Sequence, residues 1–378
     1  MGAGGFLTGG GLSYYLRAFG LALDRVVGAE IVLANGTVVQ CSQTQFGELF
    51  WAVRGAGHND FGVVTSFTVD LPRYPAAARD GDGDDDDDDD DEILTAFELH
   101  WSLSQAEAVI DAWQRWQRTS DDRITTLLQF SFSPSFSSSA HAAAQQHPLS
   151  SRLLARLRDA EAAQKRAAAS GRGRSTAGPQ FWVHGLFLGR EDELPALIQP
   201  LLQTGKPKFE SHEQDYLESA LEFSGCASLE ACVDKTQRAP QPTELATKAK
   251  SFFVFSLWTR EQIRVFVEFV TSGGRDCCAD RFNLVLLHGW GGAAARAHED
   301  STAFSGRDMQ FDVEIWPSFN VSDAHERGST VDWLDRFFAF LRGTQPAILR
   351  SYRNTDDLDY GGGEQFLRAH YGDAHGKP

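Results

Sequence analysis

The chain has 378 residues, of which 42% are hydrophobic and 23% charged, enough for a sizeable core in one large or two ordinary domains. This excludes a fibrous, wholly disordered or disulfide-scaffold protein. Acidic side chains outnumber basic ones 52 to 35, and eleven of the acidic ones fall between Asp80 and Glu92, so no basic footprint for nucleic acid exists. No apolar run approaches the roughly 20 residues of a membrane-spanning helix, so neither nucleic acid nor membrane is expected as a partner.

In chain order, the Gly-rich opening through Gly11 reads as a turn, with no basic residue before Arg17 and hence no signal-peptide pattern. Two β-branched runs between Glu30 and Gln40, joined by Asn35-Gly36, predict a hairpin with a type I′ turn. Apolar spacing at Phe46, Leu49, Phe50 and Val53 predicts a short helix that stops at the Arg54-Gly-Ala-Gly57 loop, and Phe61 to Leu71 returns to strand. Residues 76 to 92 repel themselves and offer nothing to bury, which predicts a solvated acidic insertion. Its homopolymeric run lacks the ligand offsets of a calcium loop, and no metal site is expected.

Beyond it, Ile93 to Trp101 is strand-like, and Ser104-x-x-Glu107 reads as a capping box opening a helix with Val109, Ile110, Trp113 and Trp116 on one core-facing side. Further strands are predicted at Leu127–Phe132, Phe181–Leu188, Ser251–Trp258, Asn283–His288 and Gln310–Ile315, with helices at Arg260–Val270 and Val331–Leu341. The biased stretch from Ser133 to Gln180 has a middle that suits a surface helix. Strands mixed with helices, without regular βαβ alternation, give an α+β class. Of five cysteines, Cys226 and Cys232 could pair in an oxidising compartment or be, like the others, small buried hydrophobes.

Gly9-Gly10-Gly11 is the first chemical candidate, because adjacent glycines let a backbone approach a phosphate and aim N–H groups at it. By itself the triplet reads first as a tight turn, until further context is added. The absence of a following Lys and of a metal-holding Asp pattern removes a nucleotide hydrolase from consideration.

The stretch from Gly4 to Pro72, with its GGG, GLALDRVVGAEIVLANG, LFWAVRG and FGVVTSF pieces, resembles the later half of the flavin-binding domain of berberine-bridge-like FAD-linked oxidases. These belong to the vanillyl-alcohol-oxidase superfamily with its PCMH-type FAD module. Patchier similarities follow at Lys248 to Val254, Leu287 to Asp308 and Ser351 to Asn354. The resemblance implies a fold of FAD-binding second half (1–75), acidic insertion (76–92), a substrate domain with a large antiparallel sheet covered by helices (93–345), and an incomplete C-terminal segment (346–378).

The resemblance also implies FAD as cofactor and a hydroxylated small-molecule or carbohydrate-like substrate, with oxygen as electron acceptor. The pyrophosphate would lie against Gly9, Gly10 and Gly11, and the backbone of Phe61, Gly62, Val63 and Val64 would cover another part of the cofactor. Asn354 would meet the flavin pyrimidine edge. Tyr352 would be the base or orienter for the substrate hydroxyl, or else a buried structural tyrosine; a phenol titrates near ~10 and needs help from its neighbours to act at neutral pH. Full-length relatives are often secreted.

Departures from the pattern shape the alternative. The family's Arg-x-x-Gly-Gly-His loop, whose His often bonds the flavin, does not occur here, and His58 follows the wrong helix to replace it. Gly306 stands where the family has His, and Thr355 where it has a second Tyr. These departures predict a chain truncated at its N-terminus, and with it the competing function: a catalytically inactive fragment retaining a binding or interaction role.

Overall fold

In the computed structural model, the described residues are 2–57, 61–73, 93–131, 180–224, 245–277, 283–344, 350–355 and 363–372. His58, the acidic run, the stretch from Ser133 to Pro179, and Cys226 and Cys232 lie outside them. Two antiparallel sheets organise the rest. The smaller is built from β1 (Val26–Val32), β2 (Val38–Ser42) and β3 (Val63–Val69), in the order β2-β1-β3. Its inner face, with Ala29, Ile31, Val39 and Cys41, packs on Phe50 and Val53 of the predicted short helix, observed as Gly47–Ala52 and its cap.

The hairpin forms, but not through a type I′ turn. Val32 pairs with Val38, the Leu33 N–H donates to Thr37 O (2.9 Å), and only Gly36 takes a positive φ, +82°. One left-handed residue in a three-residue loop is the bulged turn that glycine at its last position permits. The opening is also more regular than a turn: Ala3–Gly9 is helical, and the turn begins at Gly10.

The larger sheet has eight strands: β4 (Leu94–Trp101), β5 (Ile124–Ser131), β6 (Gln180–Phe187), β7 (Lys208–Gln214), β8 (Leu245–Thr247), β9 (Lys250–Val254), β10 (Asn283–Gly289) and β11 (Phe311–Asn320). Their order is β7-β4-β6-β5-β10-β11-β8, with β9 also on β11. The expected strand class and helical cover are thus observed, while β7 and β8 carry no alternation strong enough to announce them. The strand expected at Ser251–Trp258 ends at Val254, and that at Gln310–Ile315 runs on to Asn320.

One face of this sheet is apolar. Leu99, Val183, Leu128, Leu287, Val313 and Phe252 are successive cross-strand partners, all in the main core. Helices Ala106–Trp116, Arg260–Cys277 and Ala324–Thr344 cover it with Trp113, Phe266 and Phe337, each fully buried. Trp113 and Trp116 are core residues, as expected. The capping interaction lies two residues earlier than Ser104-x-x-Glu107: the Ser102 N–H donates to Gln105 Oε1 (3.1 Å), within the turn that precedes the helix.

Candidate active site

The strand period of two gives the opposite face of the large sheet a different character. One cross-strand row reads Glu210, Glu98, His184, Leu127, His288, Asp312 and Phe253; the next reads Lys208, His100, Trp182, Gln129, Leu286, Glu314 and Ser251. Residues 12–19 lie over part of this face. Tyr14 packs on Leu127, Leu284 and Leu286, and its hydroxyl meets His184 Nε2 at 3.2 Å. Burial pushes the His184 pKa down to about 4.

The glycine turn closes over one end of the face. The Thr8 carbonyl accepts the N–H groups of Gly55 (2.8 Å) and Gly57 (3.0 Å), which holds the turn to the loop after the short helix. The segment 351–355 passes directly beneath it. A Cβ on Gly9 would overlap the Asn354 amide, and one on Gly10 (φ +144°) would sit 2.8 Å from the Tyr352 ring. Glycine is therefore required here to admit Tyr352 and Asn354.

Tyr352 is 5% exposed, and three donors converge on its hydroxyl oxygen: Asn354 Nδ2 (3.0 Å), the Gly11 N–H (3.2 Å) and, more weakly, the Leu12 N–H (3.4 Å). Burial nonetheless raises its pKa above that of an ordinary phenol, those donors opposing the shift only in part. The Tyr352 N–H donates to Ser251 Oγ (2.6 Å), and the Thr355 hydroxyl lies 2.6 Å from the same atom. β9 thus fixes the tyrosine from below, and Thr355, in place of the family's second Tyr, takes part in that anchor. Ser305, beside the Gly306 that replaces the family's His, donates to the His370 carbonyl (2.8 Å).

Ser251 pairs across the sheet with Glu314, whose charge acts on Tyr352. Glu314 Oε2 accepts from Trp316 Nε1 (2.8 Å) and lies 4.0 Å from His288 Nε2. Among the described residues, His288 Nε2 and both carboxyl oxygens of Asp312 meet no partner at full hydrogen-bond geometry. Asp312 is wholly buried, so desolvation first and the Glu314 carboxylate second hold its pKa well above the usual range, and the N–H groups of Phe252 and Val313 offset only part of this. Desolvation also lowers the His288 pKa. Asp312, His288 and Glu314 form a polar set facing the end of the sheet that holds Tyr352.

The structure brings together Gly9, Gly10, Gly11, Tyr352 and Asn354, which the resemblance had assigned to different parts of the cofactor. Phe61, Gly62, Val63 and Val64 stand on the small sheet, where Val63 and Val64 pair with Val32 and Ile31 of β1. Val64 shares a core with Leu7, in the helix that leads into the glycines. Asn354, Phe61 and Val63 are exposed and free to meet a ligand, whereas the N–H groups of Gly11 and Leu12 point at Tyr352. Sequence reasoning missed Tyr14, His184, His288, Asp312 and Glu314. The available signal was the alternation Asp312-Val313-Glu314-Ile315-Trp316, charged residues every second place in a strand.

The described residues also include one group spaced for a metal ion, Glu98, His100 and Glu210 at the sheet's far edge. The Lys208 ammonium lies 2.6 Å from Glu210 and supplies a cation there.

No protein-family profile matches the chain. An uncharacterized FAD-linked oxidoreductase of Bacillus subtilis is 25% identical over 98% of this chain and 65% of its own length. The berberine bridge enzyme-like 3 protein of Arabidopsis thaliana is 26% identical over 88% of this chain and 51% of its own. The chain is thus similar to berberine-bridge-enzyme-like FAD-linked oxidoreductases. Among solved structures, a chitooligosaccharide oxidase superposes with a TM-score of 0.71 at 20% identity, covering 98% of this chain and 66% of that one. That likeness establishes the fold. The chain spans at most about two thirds of the length of these relatives.

Proposed function

We propose that this berberine-bridge-like chain serves the FAD-dependent oxidation of a hydroxylated small molecule or carbohydrate-like substrate, with oxygen as electron acceptor. The observation that carries this reading is the convergence of three donors on the buried Tyr352 hydroxyl, beside a sheet face bearing Glu314, Asp312 and His288. FAD suits the residues present: exposed Asn354 offers an amide for a ring edge, and Phe61 and Val63 offer exposed apolar contact. The carboxyl of Asp312 and Nε2 of His288, which meet no partner at full hydrogen-bond geometry among the described residues, suit a polar ligand group. When bound, FAD would supply hydride acceptance.

The chain's own part is to hold and move the hydroxyl proton. A Tyr352 phenolate would be stabilised by the Asn354 amide and the Gly11 N–H, the arrangement that makes a weak base usable. Asp312, its pKa raised by burial and by the Glu314 charge beside it, can carry a proton on this face. Ser251 and Thr355 position the ring against the glycine turn. Seating the pyrophosphate on Gly9–Gly11 requires N–H groups other than those already given to Tyr352.

Purified protein supplied with FAD should become yellow and release peroxide on turnover; colourless protein after FAD addition overturns the reading. Tyr352→Phe should lower turnover about 10²-fold while bound FAD is unchanged, because only the proton acceptor is removed. Unaltered turnover would take Tyr352 out of the mechanism.

A further inference from the structure

Away from Tyr352, a cleft of about 360 Å³ opens where the small layer meets the segment 293–301. Its polar walls are Arg25 and Arg54 from the small layer and His298 from the large one, with Asp24 between them. Asp24 is already engaged: Arg307 donates to both of its oxygens (2.6 and 2.8 Å), and the Leu21 N–H adds a third bond (2.9 Å).

The remaining side chains are donors. Arg54 rests over the Phe50 ring and donates from Nε to Phe50 O (3.2 Å) and from Nη2 to Ser301 O (3.0 Å). Both acceptors are backbone carbonyls, and the Asp24 carboxylate acts on it through its charge without a hydrogen bond between them. Arg25 donates from Nε to Phe19 O (3.1 Å), and its nearest carboxylate, Asp70, is 3.9 Å away. His298 Nδ1 accepts the Asp300 N–H (3.2 Å), which leaves the ring proton on Nε2 as a further donor.

We infer that this cleft binds a phosphomonoester or inorganic phosphate dianion. Two guanidinium groups and an imidazole N–H, carried on three separate segments, offer non-coplanar donors with no free side-chain acceptor among them. Such a set matches the tetrahedral oxygens of phosphate better than a planar carboxylate, which a single guanidinium fork can satisfy. In a chain of net charge −17, a cleft walled by two guanidinium groups, one held to a carboxylate only at 3.9 Å and the other bonded only to carbonyls, is a local feature suited to an anion. Because the donors come from both layers, the bound anion ties the small layer to the segment 293–301.

The test is thermal unfolding of the full chain at constant ionic strength, independent of any turnover. About 10 mM inorganic phosphate should raise the melting temperature by several degrees over chloride, because it binds only the folded state. Arg25→Gln and Arg54→Gln should each remove at least half of that gain, and Arg264→Gln, on an exposed helix, should keep it. Should Arg54→Gln fail to fold, Arg25→Gln decides alone. A larger gain with glucose 1-phosphate than with phosphate assigns the site to an organic phosphomonoester, and an equal gain to the free ion. Equal stabilisation by chloride, undiminished gains in both variants, or displacement of phosphate by FAD or ADP overturns the assignment.

Discussion

The two faces of the eight-stranded sheet are built from the same strands and differ in almost everything else. On the helical side, Leu99, Val183, Leu128, Leu287, Val313 and Phe252 run across the sheet without a polar interruption. One residue along each strand, Glu98, His184, His288 and Asp312 occupy the matching row, and Glu314 and Ser251 follow in the next. Both faces are largely buried, but the second interleaves apolar residues such as Leu127 and Leu286 with polar ones. The second carries groups whose charged forms burial disfavours, and such groups concentrate where chemistry is done.

This contrast can be broken from either side. The largest effect is expected on the apolar face: Phe252→Ala should cost about 4 kcal/mol in urea unfolding, because it leaves a cavity between the sheet and the helix Ala324–Thr344. A loss below about 1 kcal/mol would mean that this face is loosely packed.

The next effect belongs to His184 and depends on pH. Its folded pKa is depressed to about 4, so its contribution is fully present above the unfolded value near 6.5 and is lost as pH falls through the folded one. By pH 4 the loss relative to pH 7 should be about 3 kcal/mol, and His184→Gln, which can still bond to Tyr14, should remove that part of the slope. Parallel pH profiles for the two proteins would show that His184 is solvated.

The smallest effect has the opposite sign. The Asp312 pKa is raised, so its contribution to stability is greatest below the unfolded carboxylate range and falls as pH rises. Asp312→Asn should therefore match the parent near pH 4 and exceed it increasingly toward pH 8, measured as the difference in melting temperature. A variant that is less stable throughout would show that the carboxylate is paired in the folded protein.

Much of the small layer was legible because its signals are local. Asn35-Gly36 marked the hairpin and the Phe46 to Val53 spacing marked the helix, each from neighbours within a few residues. The finer turn geometry was not legible, because the loop's register is set by the pairing of Val32 with Val38. In the large sheet, the strands with strong apolar runs were found and β7 (Lys208-Phe-Glu-Ser-His-Glu-Gln214) was not, since its edge position lets it be polar. At the site, Gly9–Gly11, Tyr352 and Asn354 were named from resemblance, whereas His288, Asp312 and Glu314 were invisible until pairing placed them side by side.

The amino-acid order by itself settled the α+β class, the local hairpin and helices, and the glycines on which the C-terminal segment closes, because backbone permissiveness and apolar spacing act over a few residues. Only the folded arrangement decided which strands became neighbours, that Tyr352 lies under Gly10 some 340 positions away, and that an acid, an imidazole and a carboxylate share one buried face. Those outcomes rest on long-range pairing and desolvation, which no short stretch of chain contains.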